Sequence, residues 1–220
     1  MKSRLALSVV VAFAAAVALF PGYCSATAIT FDELPFAEPG DGIVIPTSYA
    51  GLGWNNFYYL DGLNTVFTGS GYPNAVVSPN NVGYNGFGAP ASFTSADLIS
   101  FNSFYITAAW NNGLNVDIQG RRNGAVFYQA HLLVDTNSPT LINLNWLGVD
   151  EVDFQSYGGV PRGSGPGTHF VLDNLIVDSY ELPPAPVPLG PSTWPNVILG
   201  LAGVGFIVYR RKSKPALITA

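Results

Sequence analysis

The stretch LNVDIQGRRNGAVFYQAHLLV, residues 114–134, decides the fold class of this chain. Leu114, Val116 and Ile118 alternate with polar residues, which is the pattern of a strand with one buried face. The pair Asn123-Gly124 separates this run from a second one at 125–134. Asn-Gly is the strongest short-range signal of a hairpin, because both central residues of a type I′ turn need a positive φ. The sequence therefore predicts an antiparallel β-hairpin.

Similar runs flank the hairpin on both sides. They predict strands at 98–109, 139–146, 151–156 and 168–178, separated by short turns. No run shows convincing helical periodicity, and residues 35–91 crowd Gly, Pro, Asn and aromatic residues into what we expect to be loops. We therefore expect an all-β domain at 29–182, an antiparallel β-sandwich of jelly-roll type.

Charge is unevenly distributed along the 220 residues. Residues 29–183 contain all 14 acidic residues, three arginines and no lysine, so their formal charge is −11, against −5 for the whole chain. A protein that binds the phosphate backbone needs many cationic contacts. The charge therefore excludes a nucleic-acid partner for this domain.

Residues 1–28 are typical of a secretory signal peptide. Lys2 and Arg4 precede an apolar run, and small residues close the segment, which predicts cleavage after Ala28. An uncleaved membrane anchor is the alternative. Cys24, the only cysteine, leaves with the signal, so the exported domain has no disulfide.

The C-terminal end is directed to the membrane as well. A proline-rich spacer at 183–193 ends the domain, and an almost wholly apolar segment at 194–209 precedes a basic tail at 210–220. A helix of that length rises about 24 Å, whereas the hydrocarbon core is about 30 Å thick, so a single transmembrane helix needs flanking residues or a thinned bilayer. We expect the basic tail in the cytoplasm and the domain outside.

This tail resembles the PEP-CTERM sorting signal of exopolysaccharide-forming Gram-negative bacteria. The resemblance covers about the last 35 residues and depends on Val187-Pro188-Leu189, the Gly-rich apolar run after Trp194, and Arg210-Arg211. It implies an exosortase-like membrane enzyme that processes the tail and delivers the domain to the cell surface or the extracellular matrix. Leu189 stands where the family usually has glutamate, so the Pro-Glu-Pro signature is absent.

The domain's first and last strands, at 28–34 and 170–177, resemble those of galactose-binding-like domains and carbohydrate-binding modules. In several such modules the two strands lie side by side, and acidic residues on them bind a structural Ca²⁺ ion. The resemblance implies Asp32 or Glu33, together with Asp173, as ligands. An acidic domain can supply the six to eight oxygens that calcium takes. Alternatively, Asp32 caps a turn and Asp173 faces solvent.

Aromatic residues interleaved with asparagine form the main binding signal. Sugar sites are commonly built this way, with a ring against the apolar face of a pyranose and amides bound to its hydroxyls. The candidate ligand-binding residues are Trp54, Tyr58, Tyr84, Trp110, Asn111 and Asn112. Aromatic rings also build sandwich cores, which is the alternative for each of them.

The string Glu151-Val152-Asp153-Phe154-Gln155 is the most enzyme-like feature. It resembles the catalytic strand of jelly-roll glucanases, but Gln155 replaces the final glutamate and cannot act as a general acid, so the carboxyl pair is incomplete. The two histidines, His131 and His169, have no second histidine at metal-ligand spacing. We therefore expect no catalytic residues.

The sequence as a whole predicts an exported, non-enzymatic β-sandwich protein of the cell surface or exopolysaccharide matrix. A carbohydrate-binding module, with exopolysaccharide as its partner, is the first alternative, and a glycan-degrading enzyme is the second. A tail-anchored membrane protein that is never processed is the third.

Overall fold

The structure, a computed structural model, describes residues 26–37, 40, 42–163 and 167–183. The chain divides into two units, 1–181 and 182–220, and the fold below is that of the first unit. The predicted sorting motif, membrane segment and basic tail lie outside the described residues. In the described part of the chain, no helix is both long and apolar enough to cross a bilayer.

Strands dominate the described residues. They are β1 (Thr27–Ile29), β2 (Ile43–Val44), β3 (Gly53–Asn55), β4 (Phe57–Asp61), β5 (Asn81–Asn85), β6 (Ala91–Ala108), β7 (Asn111–Asn112), β8 (Leu114–Arg122), β9 (Ala125–Val134), β10 (Thr140–Tyr157), β11 (Val160–Pro161) and β12 (Phe170–Ser179). One short helix, α1 (Tyr72–Ala75), and three turns of 3₁₀ helix accompany them. The described pairs are all antiparallel, as predicted.

The two longest strands, β6 and β10, take part in both layers of a β-sandwich. In the first layer, strands follow the order β2-β4-β5-β12 and continue into the C-terminal half of β6 and the N-terminal half of β10. In the second layer, β3 pairs with the N-terminal half of β6, and the C-terminal half of β10 pairs with β8 and, through it, β9. The all-β sandwich is thus confirmed, and its jelly-roll type stays a prediction.

The hairpin prediction is confirmed in detail. Strands β8 and β9 pair from Leu114 opposite Val134 to Arg122 opposite Ala125. Asn123 and Gly124 between them have φ values of 50° and 76°, the positive values that a type I′ turn needs. The turn chemistry in the sequence therefore located this element correctly.

Two expectations were wrong. The strands expected at 139–146 and 151–156 form one strand, because register shifts at Asn143/Trp146 and Leu147/Val149 let the backbone bend without ending. Residues 35–91 are not loops alone but include β2 to β5 and α1. These strands are two to five residues long and lie between segments rich in Gly, Pro and Asn, so no long alternating run marks them in the sequence.

The core lies between the two layers and is rich in aromatic rings. Phe154 of the second layer contacts Phe57, Phe104 and Phe170 of the first, with ring centroids 5.4 to 6.0 Å apart. All four rings are fully buried. Burial of such a side chain contributes about 1.5–3 kcal/mol, so this cluster fixes the layers against each other.

Candidate functional site

A groove of about 450 Å³ lies on the outer face of the second layer. We call it the polar groove. Its lining residues are Asn55, Pro90, Ala91, Ser92, Asp117, Gln119, Arg121, Asp153, Phe154 and Gln155. Strand alternation explains its composition, since each polar side chain here has neighbours in the chain, such as Trp54 and Phe93, that face the core.

A row of polar residues crosses the second layer at one level of the sheet. Asn55 of β3 lies opposite Ser92 of β6, and Ser92 lies opposite Asp153 of β10. Asp153 in turn lies opposite Gln119 of β8, and Gln119 opposite Gln129 of β9. Directly opposed side chains share a face, so five strands present amide, hydroxyl and carboxylate groups side by side.

Arg121 fixes two members of this row. Its Nε donates to Asp153 Oδ2 at 2.5 Å, and a terminal nitrogen donates to Gln119 Oε1 at 2.6 Å. The ion pair is partly exposed, so it contributes little to stability. Its consequence is orientation, because one guanidinium holds a carboxylate and an amide in defined positions before any ligand arrives.

The acidic groups in the groove are paired with basic groups. Asp153 binds Arg121, and Asp117 Oδ1 lies 2.7 Å from His131 Nδ1. Burial, followed by the charge of Asp153, raises the pKa of Glu151 on the same strand. The enzyme-like string at 151–155 alternates as a strand of the sandwich should, with Val152 and Phe154 fully buried. Asp153 is therefore hydrogen-bonded to Arg121, and Glu151 on the same strand is close enough for the charge of Asp153 to act on it.

The structure gathers three of the predicted ligand-binding aromatics into one cluster. Tyr58 contacts Tyr84 at 5.8 Å between ring centroids, Tyr84 contacts Tyr72 at 5.6 Å, and Tyr72 contacts Trp110 at 5.7 Å. We call Tyr58, Tyr72, Tyr84 and Trp110 the aromatic cluster. Burial raises the pKa of Tyr84 to about 12, so its hydroxyl stays protonated at neutral pH.

Trp54 is separate from this cluster. Its side chain is 5% exposed and packs against Phe31, Phe57 and Phe93 in the core, so it presents no surface to a ligand. The same alternation that puts Asn55 in the polar groove turns Trp54 inward.

Asn111 and Asn112 have partners inside the protein. Asn111 Nδ2 donates to the Gly158 carbonyl at 2.8 Å, and its Oδ1 accepts from the Gly167 amide. Asn112 Oδ1 accepts from both the amide and the hydroxyl of Thr136. These amides hold connecting segments together, so any sugar contact would compete with internal hydrogen bonds.

His169 joins the aromatic cluster through its ring nitrogen Nδ1. The Trp110 Nε1–H donates to it at 3.1 Å, and the Tyr72 hydroxyl lies 3.0 Å away. An indole N–H can only donate, so Nδ1 carries no proton. Burial lowers the pKa of His169, which favours the neutral ring that this arrangement needs.

The residues proposed for calcium each have hydrogen-bond partners. Strand β1 lies beside β12, as the resemblance implied. Asp173 is fully buried and accepts from the amides of Val77, Ser78 and Asn174 and from the Ser78 hydroxyl. Asp32 accepts from an amide, and Glu33 accepts from the hydroxyl of Tyr49, which lowers the Glu33 pKa.

These contacts do not bring Asp32, Glu33 and Asp173 together. Among the described residues, no group of three or more His, Cys, Asp or Glu side chains is placed to hold a metal ion. The predicted calcium site stays a prediction, and the contacts above give each carboxylate a structural role.

The polar groove was not found from the sequence. Its members come from four strands separated by up to 100 positions in the chain, and only the register brings Asn55, Ser92, Asp153 and Gln119 to one level. The available signal was polar alternation in 115–121 and 151–155, which indicates an outward face without showing that the faces join.

No family model matches the chain, and no curated protein matches its sequence. Among solved structures, it is similar to TmCBM61 in complex with β-1,4-galactotriose, at 6% identity and a TM-score of 0.32, over 60% of this chain and 93% of that one. It is similar to the CBM22-1 xylan-binding domain of Paenibacillus barcinonensis Xyn10C, at 12% identity and a TM-score of 0.36, over 67% and 99%.

The CBM22-1-CBM22-2 tandem domain of the same Xyn10C is also similar, at 11% identity and a TM-score of 0.41. That match covers 76% of this chain and 48% of the tandem, so this chain spans about half of its length. The fold and groove together define an all-β sandwich with a polar groove on one outer face.

Proposed function

We propose that this chain is a non-enzymatic carbohydrate-binding protein whose polar groove holds a segment of polysaccharide. The observation that carries the proposal is the row of polar side chains across five strands, part of it oriented by Arg121, along a groove of about 450 Å³. That volume lies in the usual range of small-molecule sites, about 300–1,000 Å³.

The chemistry of the groove suits sugar hydroxyls. A hydroxyl both donates and accepts, and the groove offers acceptors at Asp117 and Asp153, donors at Arg121, and both at Gln119 and Gln155. Planar groups of this kind can bind neighbouring hydroxyls of one ring in pairs. The proposal therefore needs no cofactor.

The charge of the domain favours a neutral polysaccharide. The groove contains two carboxylates and one guanidinium, within a domain of formal charge −11. An anionic polysaccharide would approach against this field, most strongly at low salt.

Binding without catalysis is supported by the pairing of the acids. Asp153 is bound to Arg121, Asp117 to His131, and position 155 is glutamine. Hydrolysis with retention would need two free carboxyls about 5 Å apart, one of them a proton donor.

Export to the cell surface is part of the proposal. The predicted signal peptide and the PEP-CTERM-like tail support delivery to the envelope or the exopolysaccharide matrix through an exosortase-like enzyme. A domain delivered to the envelope or the matrix is surrounded by polysaccharide, so the predicted localisation is consistent with the proposed ligand.

Affinity electrophoresis of the full chain in mild detergent tests the binding. Gels contain one neutral polysaccharide (xylan, galactan or glucan) or one anionic polysaccharide (alginate or pectate). We expect retardation on at least one neutral polymer and none on the anionic ones. A double variant, Gln119→Ala with Gln155→Ala, should lose about tenfold in affinity, about 1.4 kcal/mol, as expected for lost hydrogen bonds.

The matched control is Asn143→Ala. Asn143 is an exposed amide on the N-terminal half of β10 and does not line the groove, so this variant should migrate as the wild type does. Absence of retardation on every polymer contradicts the proposed function, and so does retardation that the double variant leaves unchanged.

A further inference from the structure

We propose that strand β9 pairs antiparallel with the β9 of a second copy of this chain, so that the second layers of two molecules form one continuous sheet. The surface that makes this contact consists of β9 and the N-terminal half of β10, residues 140–147, and we call it the open edge. This inference does not depend on the proposed function.

Strand β9 is the last strand of the second layer. It pairs with β8 along one side, and in the described part of the chain no strand pairs with its other side. Residues 128–134 pair with β8 residue for residue, so this part of the strand is regular. A regular strand at the end of a sheet presents backbone N–H and C=O groups that another strand can bind.

The N-terminal half of β10 forms the corresponding end of the first layer. Residues 140–143 pair with β6, whereas the described pairs between β10 and β8 lie at 151–157. Tyr128 of β9 stacks on Trp146 of β10 with ring centroids 5.4 Å apart, and its hydroxyl donates to the Leu147 carbonyl at 3.2 Å. The two strand edges therefore lie on the same side of the sandwich.

The core is incompletely covered at the open edge. Most of the half-buried apolar side chains that pack against the main core are on these two segments, namely Tyr128, Ala130, Leu132, Ile142 and Leu144. Beside them Leu133 is 69% exposed, and Leu141 is exposed as well. A partner that covers this surface removes apolar area from water, which is the main driving force of protein association.

The features that usually protect an edge strand are missing from β9. Proteins blunt such edges with lysine, proline, bulges or very short strands. Residues 125–134 contain no lysine and no proline, and the irregular pairing at Gly120/Arg121 lies at the turn end of the hairpin, outside 128–134. By contrast, β2 at the opposite end of the first layer is two residues long. The length and regularity of β9 therefore favour pairing with another strand.

The charge of the open edge favours a second copy as the partner. The domain has a formal charge of −11, yet neither 125–134 nor 140–147 contains Asp, Glu, Lys or Arg. Two copies can therefore meet here without opposing like charges on these strands, whereas a strongly charged partner would find no opposite charge on them. Two identical strands paired antiparallel are also self-complementary, because a two-fold axis repeats each hydrogen bond.

Full overlap of 128–134 in the two copies sets the register. The two-fold axis then lies at His131, with Ala130 of each copy opposite Leu132 of the other and Gln129 opposite Leu133. A small and a large apolar side chain thus meet on the inner face, where both are half-buried in the single chain. The junction covers these side chains in both copies.

Light scattering of the purified full chain in mild detergent measures the mass of the protein component over a range of concentrations. We expect a dimer, twice the chain mass of 23.3 kDa. The double variant Gln129→Glu with Leu133→Glu places carboxylates directly opposite each other twice across the junction. Because like charges directly opposite destabilise strand pairing, we expect the dissociation constant of the dimer to rise at least about tenfold.

The matched control is Val44→Glu with Val66→Glu. Both side chains are exposed and lie in β2 and in the 3₁₀ turn between β4 and β5, so this variant adds carboxylates away from the open edge. We expect it to dimerise as the wild type does. Thermal unfolding establishes that each variant is folded.

A charge reversal tests the register. The double variant Gln129→Lys with Leu133→Lys should also dimerise weakly by itself. Mixed with the Gln129→Glu, Leu133→Glu variant, it opposes lysine to glutamate at both positions, so we expect the mixture to recover the mass of a dimer. A role of these residues in stability alone would not produce this recovery.

A wild-type chain that stays monomeric at every concentration overturns the proposal. Wild-type dimerisation in the Gln129→Glu, Leu133→Glu variant also overturns it, because the contact would then lie elsewhere. Equal dissociation in the Val44→Glu, Val66→Glu control does so too, since net charge would be the cause. Glutamate and lysine variants that dissociate but do not combine when mixed overturn the antiparallel pairing of β9.

Discussion

His169 accepts a hydrogen bond at a ring nitrogen that must stay unprotonated, and this makes the stability of the domain dependent on pH. Burial lowers its pKa below the ordinary value of 6.5. The unfolded chain therefore takes up a proton near pH 6.5, whereas the folded chain takes it up only at lower pH. The stabilisation is fully present above pH 6.5 and is lost as the pH falls from there towards the folded pKa.

Urea unfolding at pH 7.5 and pH 5.5 measures this dependence. We expect the wild-type free energy of unfolding to fall between these values. His169→Gln keeps an acceptor that does not titrate, so part of the fall should disappear in that variant. His131→Gln removes an exposed histidine and serves as the control. If the free energy of unfolding falls by the same amount between these pH values in His169→Gln and in the wild type, His169 does not contribute to the pH dependence.

Asp173 gives a second prediction for a single residue. Burial raises its pKa, against the opposing effect of the four donors around it. Asp173→Asn replaces one acceptor oxygen by an NH₂ group that faces donors from Val77 and Ser78. Lost and unsatisfied buried hydrogen bonds cost about 1–3 kcal/mol each, so we expect the variant to lose about 2–4 kcal/mol in chemical denaturation.

The same residue separates the hydrogen-bonding role from the calcium role. Since internal donors occupy Asp173, we expect the wild-type melting temperature to be unchanged by EDTA. A drop of several degrees on chelation that added Ca²⁺ reverses would show that a calcium site does contribute to stability.

The β8–β9 hairpin shows what turn chemistry contributes to an element. Gly124 has a φ of 76°, and a Cβ added there would meet nothing within 4 Å. The cost of Gly124→Ala is therefore backbone strain alone, about 1–2 kcal/mol in the free energy of unfolding by denaturant. Asn123→Gly accepts the same conformation and should cost much less, which makes it the matched control. Equal stability of Gly124→Ala and the wild type would contradict a type I′ turn.

This hairpin shows which part of the fold could be predicted from the sequence. Alternation and Asn-Gly are local signals, so β8 and β9 were predictable almost to the residue. The path of β10 was not, because its bends depend on positive φ at Asn145 and Gly148, and on Gly120, whose missing Cβ leaves room for Trp146. These features depend on contacts between strands that are far apart in the sequence, so a local pattern does not reveal them.

In the candidate site too, some features follow from local sequence and others depend on distant strands. Phe57 and Tyr59 are buried and Tyr58 between them is not, but Phe-Tyr-Tyr shows no alternation in polarity, so the sequence did not indicate which of these rings faces outward. Trp54 is buried together with Leu52, two residues earlier, as expected for side chains on the same face of a strand, so the core alternative is correct for Trp54. The polar groove could not be predicted, because it depends on the register of four strands that are far apart in the sequence.

For the whole molecule, the concentration of acidic residues predicts a response to salt. The domain at 29–183 carries a formal charge of −11, and its like charges repel one another more in the compact folded state. Salt screens that repulsion over about 10 Å at 0.1 M. We expect the melting temperature to rise by a few degrees between 0.02 and 0.3 M NaCl, measured by calorimetry. A fall over this range would show that attractive pairs such as Arg121 and Asp153 outweigh the repulsion.

Processing at the N-terminus must be compatible with β1. Cleavage after Ala28 removes Thr27 and Ala28, two of the three residues that pair with β12. Both are exposed, whereas Ile29, which is 2% exposed and packs in the core, remains. Cleavage therefore removes backbone hydrogen bonds at the end of β1 but little buried apolar surface. We expect an exported chain that begins at Ile29.

The C-terminal tail is tested by the same measurement, intact mass of the protein recovered from membranes and from medium. The full chain has a mass of 23.3 kDa. Exosortase-like processing predicts a species that lacks both the signal peptide and the residues after the spacer, enriched outside the inner membrane. Replacing Arg210 and Arg211 with glutamate weakens the basic stop after the apolar segment and should reduce that species. If no fraction contains the doubly processed species and the tail is retained through Ala220, the chain is a tail-anchored protein. The polar groove would then reach polysaccharide only at the membrane surface.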